Sequence, residues 1–375
     1  MVGLNLGKIH HIINRESMSV FDHIEFDNHE HVAFYHDKEA GLSAIIAIHN
    51  TNLGPALGGC RMWPYVSSAE ALTDVLRLSK GMTYKAAMAN IALGGGKSVI
   101  IGDPRKQKTP AMMEAMGRFV DSLGGKYFTA EDSGISVTDL QTMATQSDYI
   151  AGVNAQYHYA DEQPDGNPAP STAYGVFVGL KASVEHGLNR SLEGVSVAIQ
   201  GMGHVGYRLA SHLHAAGAKL YVADIFPEGV ERAVAELGAT AVAPEEILGL
   251  DVDVLAPCAL GAAINDQTLP MIKAKVIAGA ANNQLAREEI GDMLVERGIL
   301  YAPDYVINAG GIIDIFHQRM EQSSNAAMRK HIEDIGTTLK EIYTRADAEK
   351  SATNRVANII AEERFSLKGW NLSGK

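Results

Sequence analysis

The stretch from residue 195 to residue 224 constrains the fold of this 375-residue chain more than any other. An apolar strand pattern at 195–200 leads directly into Gly-Met-Gly-His-Val-Gly at 201–206, and a helical pattern follows at 207–216. A second strand pattern at 219–223 ends at an aspartate. A strand, a glycine loop, a helix and a strand that ends in an acid together predict a βαβ unit that binds a dinucleotide.

Each of the three glycines of this loop has a physical role in dinucleotide binding. Gly201 permits the tight turn, Gly203 leaves room for a pyrophosphate, and Gly206 allows the helix to pack closely on the strand. We also count His204 and Val205, which lie between the last two glycines, among the cofactor-binding residues. The helix that follows would attract the phosphates with its N-terminus.

The acid at the end of the second strand distinguishes between two cofactors. A carboxylate here, about 20 residues after the loop, accepts hydrogen bonds from the ribose hydroxyls. Asp224 is followed by Ile225 and Phe226, with no arginine beside it, so a 2′-phosphate would be repelled. The sequence therefore predicts NAD rather than NADP.

Composition excludes several classes of function. The net charge of −12 argues against nucleic acid and anionic membranes as partners. Cys60 and Cys258, the two cysteines, lie far apart, which fits a reduced cytoplasmic protein better than a disulfide scaffold. Residues 1–15 lack the pattern of a secretory signal, and no apolar run reaches the roughly 20 residues of a membrane span. The length predicts two or three domains.

Two lysines stand out in an apolar, glycine-rich stretch at 81–97. The neighbours of Lys85 and Lys97 are apolar or small, so each ammonium is a candidate for partial burial, which is costly unless the charge is paired. The three glycines at 94–96 would let the backbone bend and a ligand approach. A P-loop is excluded, because that motif needs glycine where this chain has Ile91. Two interpretations stay open: a surface lysine after a turn, or a desolvated catalytic lysine near a second lysine that binds an anionic group.

The first half otherwise predicts strands and helices around these lysines. We expect strands at 31–35, 42–49, 98–101 and 127–129, and a glycine-rich turn at 54–62. Helices are expected from Ser67 or Ser68, with Lys80 and Lys85 at or beyond the end, and from Thr109 to the glycines at 124–125.

Two further features of the first half bear on function. The strand at 127–129 delivers Asp132 at its carboxyl end, where a carboxylate serves either an active site or a helix cap. Four histidines, at positions 23, 29, 31 and 36, do not match any familiar zinc spacing. We therefore expect no metal site.

The second half continues the dinucleotide-binding pattern. Residues 164–170 read as a linker, and Ser171 and Thr172 are predicted caps of a helix over 173–186 that ends at Gly187. Strand patterns at 252–255, 276–278 and 299–301 lead into small or polar loops. These loops predict either the wall of a nicotinamide pocket or ordinary connections. Helical patterns continue from 311 to 364, and the long run at 325–348 is a candidate to fold back toward the first half.

Several motifs together resemble the amino-acid dehydrogenases of the glutamate, leucine, phenylalanine and valine group, and especially its leucine-type members. They span roughly residues 35–315, most of the chain. The matching motifs are Gly-Pro-Ala-Leu-Gly-Gly at 54–59, Arg-Met-Trp at 61–63, Gly-Met-Thr-Tyr-Lys at 81–85, Leu-Gly-Gly-Gly-Lys at 93–97, Ala-Glu-Asp at 130–132, Ala-Pro-Cys-Ala-Leu-Gly at 256–261, Ala-Ala-Asn-Asn-Gln-Leu at 280–285 and Pro-Asp-Tyr-Val-Ile-Asn-Ala-Gly-Gly at 303–311.

The resemblance implies a role for individual residues. Lys85 would bind the substrate carboxylate, Lys97 would be the catalytic lysine, and Asp132 would handle the amine proton. Asn282 and Asn308 would hold substrate or nicotinamide. Residues implied to hold the rest of the substrate are Leu57, Gly58, Gly59, Ala130, Ile312 and Ile315. Further residues placed on the cofactor are Thr172, Cys258, Ala259 and Asn282.

These observations lead to one main expectation. The fold is expected to be α/β with two domains and a cleft between them. Residues 1–152 would bind substrate and form an oligomer, with helices at 345–375 packing back on them, and residues 153–344 would form the NAD-binding domain. By the resemblance, the protein would be a homo-oligomer, from dimer to octamer, that deaminates leucine and other branched-chain amino acids. The alternatives are a preference for phenylalanine or tryptophan, and a non-catalytic NAD-binding regulator.

Overall fold

The computed structural model describes residues 19–366 apart from Asn154, Asp161, Asp165, Leu260 and Glu321. Within this range the chain forms two β-sheets. The first sheet has the strand order β1-β2-β4-β3-β5, in which β1, β2 and β4 pair antiparallel and β4, β3 and β5 pair parallel. Its strands are β1 (His31–Asp37), β2 (Leu42–Asn50), β3 (Ala56–Trp63), β4 (Gly94–Ile101) and β5 (Tyr127–Ala130).

The second sheet is entirely parallel, with the order β11-β10-β9-β6-β7-β8. Because parallel strands all end at the same edge, the loops that follow β6, β7, β9, β10 and β11 meet there. The predicted α/β fold, with a parallel sheet in the second half that contains the predicted βαβ unit, is confirmed. The strands are β6 (Ser196–Gln200), β7 (Lys219–Ala223), β8 (Thr240–Ala241), β9 (Val254–Pro257), β10 (Val276–Ile277) and β11 (Leu300–Tyr301).

Eleven α-helices cover the two sheets in the described part of the chain. They are α1 (Ser68–Met88), α2 (Pro110–Asp121), α3 (Val137–Ala144), α4 (Ala169–Leu188), α5 (His204–Ala215), α6 (Pro227–Leu237), α7 (Ile290–Glu296), α8 (Asp304–Ile307), α9 (Gly310–Gln318), α10 (Asn325–Glu349) and α11 (Thr353–Ser366). None of these helices is both long enough and apolar enough to cross a lipid bilayer.

The glycine-rich turn predicted at 54–62 is wrong, because most of it is the interior strand β3. Glycine normally weakens a strand, but here neighbouring backbone lies too close for a side chain. A Cβ on Gly58 would overlap the carbonyl oxygen of Gly96, and one on Gly59 would lie 2.6 Å from the carbonyl oxygen of Glu131. The glycines of β3 are therefore a packing requirement of the sheet.

The bend predicted before Lys97 is also wrong. Residues 94–96 are the first part of strand β4, and none of the three glycines has a positive φ. A Cβ on Gly95 would overlap the backbone of Thr83 in α1, and one on Gly96 would lie 2.7 Å from the ring of Tyr127. These glycines bring α1 close to β4, and with it Lys85, which lies in the last turn of α1 rather than beyond its end.

Two helix boundaries in the second half differ from those predicted. Helix α4 begins at Ala169, inside the predicted linker, and ends at Leu188, where Asn189 takes up a left-handed conformation (φ 52°). Ser171 and Thr172 therefore lie within its first turn. Helix α5 begins at His204 instead of residue 207, with Gly203 at the N-cap. This places His204 and Val205 in the first turn, where backbone N–H groups point out of the helix.

The C-terminal helices pack against both halves of the chain. Helix α10 packs along α4, and α11 packs against α1. The Tyr84 hydroxyl donates to Glu362 at 2.7 Å, and the Arg364 guanidinium donates to the carbonyl of Ala87 at 3.2 Å. The end of α1 that carries Lys85 is thus capped by α11. Residues 1–18 and 367–375, which belong to the predicted first domain and its returning helices, lie outside the described residues.

Candidate active site

A cleft of about 460 Å³ lies between the two sheets and is lined from both sides. One wall comes from β3, β4, the end of β5 with the two residues that follow it, and α1. The other comes from the loop after β10 and from α8 and α9. The predicted residues that line it are Leu57, Gly58, Gly59, Lys85, Lys97, Ala130, Asp132, Thr172, Val205, Asn282, Asn308, Ile312 and Ile315.

Lys97 and Asp132 form an ion pair at the centre of this cleft. Lys97 lies on β4 with 6% of its surface exposed, and its Nζ donates to Asp132 Oδ2. The backbone N–H of Ser133 donates to the other carboxylate oxygen at 2.6 Å. Burial by itself would raise the pKa of Asp132, but the charges of Lys97 and Arg61 outweigh it and lower that pKa to about 2. Asp132 is therefore an ionised acceptor beside a buried lysine.

Lys85 supplies a second cation on the same wall. It is half-buried and faces the cleft from the last turn of α1. Burial lowers the pKa of its ammonium to about 8, while Asp304 raises it and Lys97 lowers it further. At neutral pH this ammonium is charged and has no ion-pair partner among the described residues. It can bind an anionic group of a ligand.

An apolar pocket adjoins the two lysines. Leu57 is 1% exposed, Ala130 is 3% exposed and Ile312 is 6% exposed, and the half-buried Ile315 completes the surface. Gly59 lies beneath Asp132, and a Cβ on it would lie 2.8 Å from the Asp132 Cβ. The pocket can hold an aliphatic side chain while the lysines hold charged groups.

Two asparagines face the lysines from the opposite wall. Asn308 donates from Nδ2 to Asn282 Oδ1 at 2.7 Å and to the carbonyl oxygen of Ala280 at 3.1 Å. Its own Oδ1 is buried and accepts no hydrogen bond within the described part of the chain. Buried acceptors are nearly always paired, so this oxygen is suited to an N–H group of a ligand.

The glycine loop after β6 has the shape that a dinucleotide requires. Gly201 has a φ of +100°, and a Cβ on it would lie 2.8 Å from the N of Ala259. A Cβ on Gly203 would meet nothing within 4 Å, and one on Gly206 would overlap the carbonyl of Gly201. The open space over Gly203, at the start of α5, fits a pyrophosphate.

The other predicted cofactor residues surround this loop. Both carboxylate oxygens of Asp224 accept backbone N–H groups, from Met202 at 2.6 Å and from Phe226 at 3.0 Å. Each oxygen keeps a second lone pair that a ribose hydroxyl can use. Cys258 N donates to the carbonyl of Gln200 at 2.7 Å, which holds the loop carrying Cys258 and Ala259 against the glycine loop.

Sequence reasoning missed two charged residues of the cleft. Arg61 on β3 contacts Asp132, with 3.6 Å between Nη2 and Oδ2. Because residues 54–62 were predicted to form a turn, Arg61 was not recognised as part of a strand that lines the cleft. Asp304, at the start of α8, lines the cleft and accepts the N–H of Gln284 at 2.8 Å. Burial raises its pKa. The rule that singled out Asp132, a carboxylate just after a strand, also applies to Asp304 after β11 and could have found it.

Comparisons with known proteins agree with this geometry. Residues 29–151 match the family model "Glu/Leu/Phe/Val dehydrogenase, dimerisation domain", and residues 227–366 match "Glutamate/Leucine/Phenylalanine/Valine dehydrogenase". A leucine dehydrogenase of Geobacillus stearothermophilus is 51% identical over 93% of this chain and 94% of its own length. One of Bacillus cereus is 49% identical over 94% and 95%.

A solved structure shows the same likeness in three dimensions. The L-tryptophan dehydrogenase of Nostoc punctiforme superposes with a TM-score of 0.79 at 44% identity, over 90% of this chain and 96% of that protein. The family models cover most of the chain, and the relatives align along nearly all of it. The chain therefore belongs to the glutamate, leucine, phenylalanine and valine dehydrogenase family.

Proposed function

We propose that the protein catalyses the NAD-dependent, reversible oxidative deamination of L-leucine and other branched-chain aliphatic L-amino acids to 2-oxo acids and ammonia. One observation carries this proposal: a buried lysine–aspartate pair lies between a cationic site and an apolar pocket, opposite the polar loops of a dinucleotide-binding sheet. Relatives named leucine dehydrogenase, at 49% and 51% identity, support it.

Different residues of the cleft bind different groups of the substrate. The Lys85 ammonium binds the substrate carboxylate, and the side chain enters the pocket formed by Leu57, Ala130 and the two isoleucines of α9. The free Oδ1 of Asn308 accepts a hydrogen bond from the substrate amine. These contacts fix the Cα between the lysine–aspartate pair and the cofactor side of the cleft.

The Lys97–Asp132 pair moves the protons of the reaction. NAD, held by the glycine loop and Asp224, would accept the hydride of the substrate Cα, which would convert the amine into an iminium. Neutral Lys97 then removes a proton from the water that attacks the iminium carbon. Asp132 takes up the proton that Lys97 then releases and passes it to the nitrogen of the carbinolamine. Ammonia leaves, and the hydroxyl proton of the carbinolamine returns to Lys97 as the carbonyl of the 2-oxo acid forms. Gly58 and Gly59 line the same cleft and, having no side chains, leave space for the substrate beside the pair.

Removing the carboxylate of Asp224 should change the cofactor preference. Asp224→Ala removes both a ribose hydrogen-bond acceptor and a charge that repels a 2′-phosphate. We expect NAD to bind roughly tenfold more weakly or worse, since a hydrogen bond to a charged group contributes about 1.5–3 kcal/mol. The ratio of kcat/KM for NAD over NADP should fall as well. Steady-state kinetics with both cofactors checks this, and a wild-type protein that uses NADP equally well would contradict the role of Asp224.

The pKa of Lys85 predicts a pH dependence of substrate binding. Because an ammonium with a pKa of about 8 loses its charge above that pH, the carboxylate should bind more weakly there. We expect the dissociation constant of 4-methylpentanoate, measured by calorimetry with NADH present, to be flat below pH 8 and to rise up to about tenfold per pH unit above it. In Lys85→Arg, whose guanidinium stays charged, it should remain flat. Binding by the wild type that is constant to pH 10 would refute the assignment.

A preference for aromatic substrates is the second candidate. Ala130 leaves room beside the pocket, and a relative 45% identical over 93% of this chain is named L-tryptophan dehydrogenase. Greater identity to the leucine dehydrogenases favours the aliphatic substrates. The test is NADH formation by the purified protein with a panel of L-amino acids at alkaline pH. Activity confined to phenylalanine and tryptophan would overturn the aliphatic proposal, and no activity with any amino acid would overturn the enzymatic one.

We also propose how the chain is organised for this function. Residues 1–152 would form the substrate-binding and oligomerisation domain, and 153–344 the NAD-binding domain, with 345–375 returning to the first. A homo-oligomer of two to eight subunits is proposed, supported by the dimerisation domain that the family model describes at 29–151. Cys60 and Cys258 are free thiols, which supports a location in the reducing cytoplasm.

A further inference from the structure

We propose that Arg61 is a positioning residue that holds Asp132 against Lys97 and sets the pH at which this pair releases its proton. The proposal rests on the proposed function, because it concerns the proton step of the same site. It goes beyond that function by assigning a role to a cleft residue that contacts Asp132 and is fixed by a network of its own.

The first support is the way in which Asp132 is held. Two donors and one further cation surround its carboxylate: Lys97 from β4 and the backbone N–H of Ser133 at 2.6 Å donate to it, and Arg61 from β3 forms an ion pair with it at 3.6 Å. Lys97 and Arg61 approach the same oxygen, Oδ2. The two cations therefore compete for one negative charge, and the position of Arg61 determines how much of that charge is left for the lysine.

The second support is the anchoring of Arg61 itself. Its Nη1 donates to Asp74 Oδ2 at 2.8 Å, and the hydroxyl of Tyr65 donates to the same oxygen at 2.7 Å. The side chains of Arg61 and Asp74 are 24% and 13% exposed, so solvent screens this pair only partly. Arg61 Nε is buried and has no partner among residues 19–366 as described. The guanidinium thus contacts two carboxylates, and its Nε–H group still has no acceptor among the described residues.

The charge of Arg61 has a definite effect on the pair. A fixed positive charge beside Asp132 Oδ2 helps to lower the pKa of that carboxyl and reduces the negative charge that can hold a proton on the pair. Other groups contribute to the same field but are not held on the Asp132 oxygen by an anchored ion pair. They are Cys60 from β3, Tyr65 after β3, Arg77 and Lys85 from α1, Tyr127 from β5, Glu131 beside Asp132, and Asp304 from α8.

The test is the pH profile of kcat/KM for L-leucine at saturating NAD. The midpoint of its rising limb reports the release of the proton by the free enzyme, and the titration of the substrate is common to all variants. Arg61→Gln should move this midpoint up by about one pH unit. Arg61→Lys, which keeps the charge, should restore it toward the wild-type value. The matched control is Arg118→Gln, on α2, which loses an arginine 3.5 Å from Asp37 and should leave the profile unchanged.

Asp74→Asn provides a second test with the opposite sign. It keeps the size of the anchor but removes its charge, so the field of Arg61 on Asp132 increases and the midpoint should move down. This result stands even if Arg61→Gln fails to fold. A variant with lower activity at every pH and an unmoved midpoint would show a merely structural role and overturn the proposal. A wild-type protein that forms no NADH with any amino acid would instead overturn the proposed function, and this inference with it.

Discussion

Lys97→Ala is expected to lower the turnover of NADH formation from L-leucine by about three orders of magnitude, because a positioned general base contributes 10²–10⁴-fold. The glycine loop and Asp224 lie on the other sheet, so the affinity for NAD should stay within a few-fold of the wild type. Stopped-flow kinetics would give the turnover, and fluorescence titration would give the affinity for NADH. The loss should appear in kcat and in kcat/KM alike, since the contact acts in the transition state.

A matched control separates catalysis from folding. Lys106→Ala removes a lysine of the same half of the chain whose side chain is 81% exposed and pairs with Asp103 at 3.4 Å. Its turnover should equal that of the wild type. Turnover of Lys97→Ala within tenfold of this control would remove Lys97 from the mechanism.

Glutamate should be disfavoured against leucine by at least about a thousandfold in kcat/KM. Leu57 is fully buried at the pocket, and a second carboxylate placed against it would be a buried, unpaired charge, at a cost of several kcal/mol. Each ~1.4 kcal/mol is a factor of ten in the specificity constant. Leucine, valine and isoleucine differ only by methyl and methylene groups, for which a pocket discriminates by about 1–3 kcal/mol, so all three should be used.

A substitution of Leu57 provides the converse test of the same pocket. Leu57→Lys would supply a cation for the distal carboxylate, and it should raise kcat/KM for glutamate while lowering it for leucine. The matched control is Leu57→Met, which keeps the apolar surface and should preserve the ranking. Strong activity of the wild type toward glutamate would refute the assignment of the pocket.

Sequence patterns succeeded where the information is local. The dinucleotide-binding unit was predictable because a strand, three glycines at fixed spacing, a helix and Asp224 all lie within 30 residues, and each has a direct physical reason. Lys85 and Lys97 were candidates for a similarly local reason, because a charged side chain in an apolar stretch is costly to bury unless it is paired or has a function. The two lysines lie in the same cleft because strands far apart in sequence pair with one another, and no local sequence pattern encodes that pairing.

Non-local packing explains the failures. Gly58 and Gly59 look like turn residues in the chain, but they are strand residues because Gly96 and Glu131, far away in sequence, occupy the space of a side chain. Helix α1 continues past Lys80 because α11 caps its end through Arg364. Arg61 was overlooked because both of its carboxylate partners come from other elements. In each case the deciding contact joins residues that the sequence separates widely.

The fate of the hydrogen on the substrate Cα tests the central claim most directly. L-leucine labelled with deuterium at Cα would be incubated with the purified protein and NAD, and the products would be measured by mass spectrometry and an ammonia assay. The cleft geometry predicts equal amounts of deuterated NADH, ammonia and 4-methyl-2-oxopentanoate. NADH without deuterium, or oxidation without release of ammonia, would contradict the account.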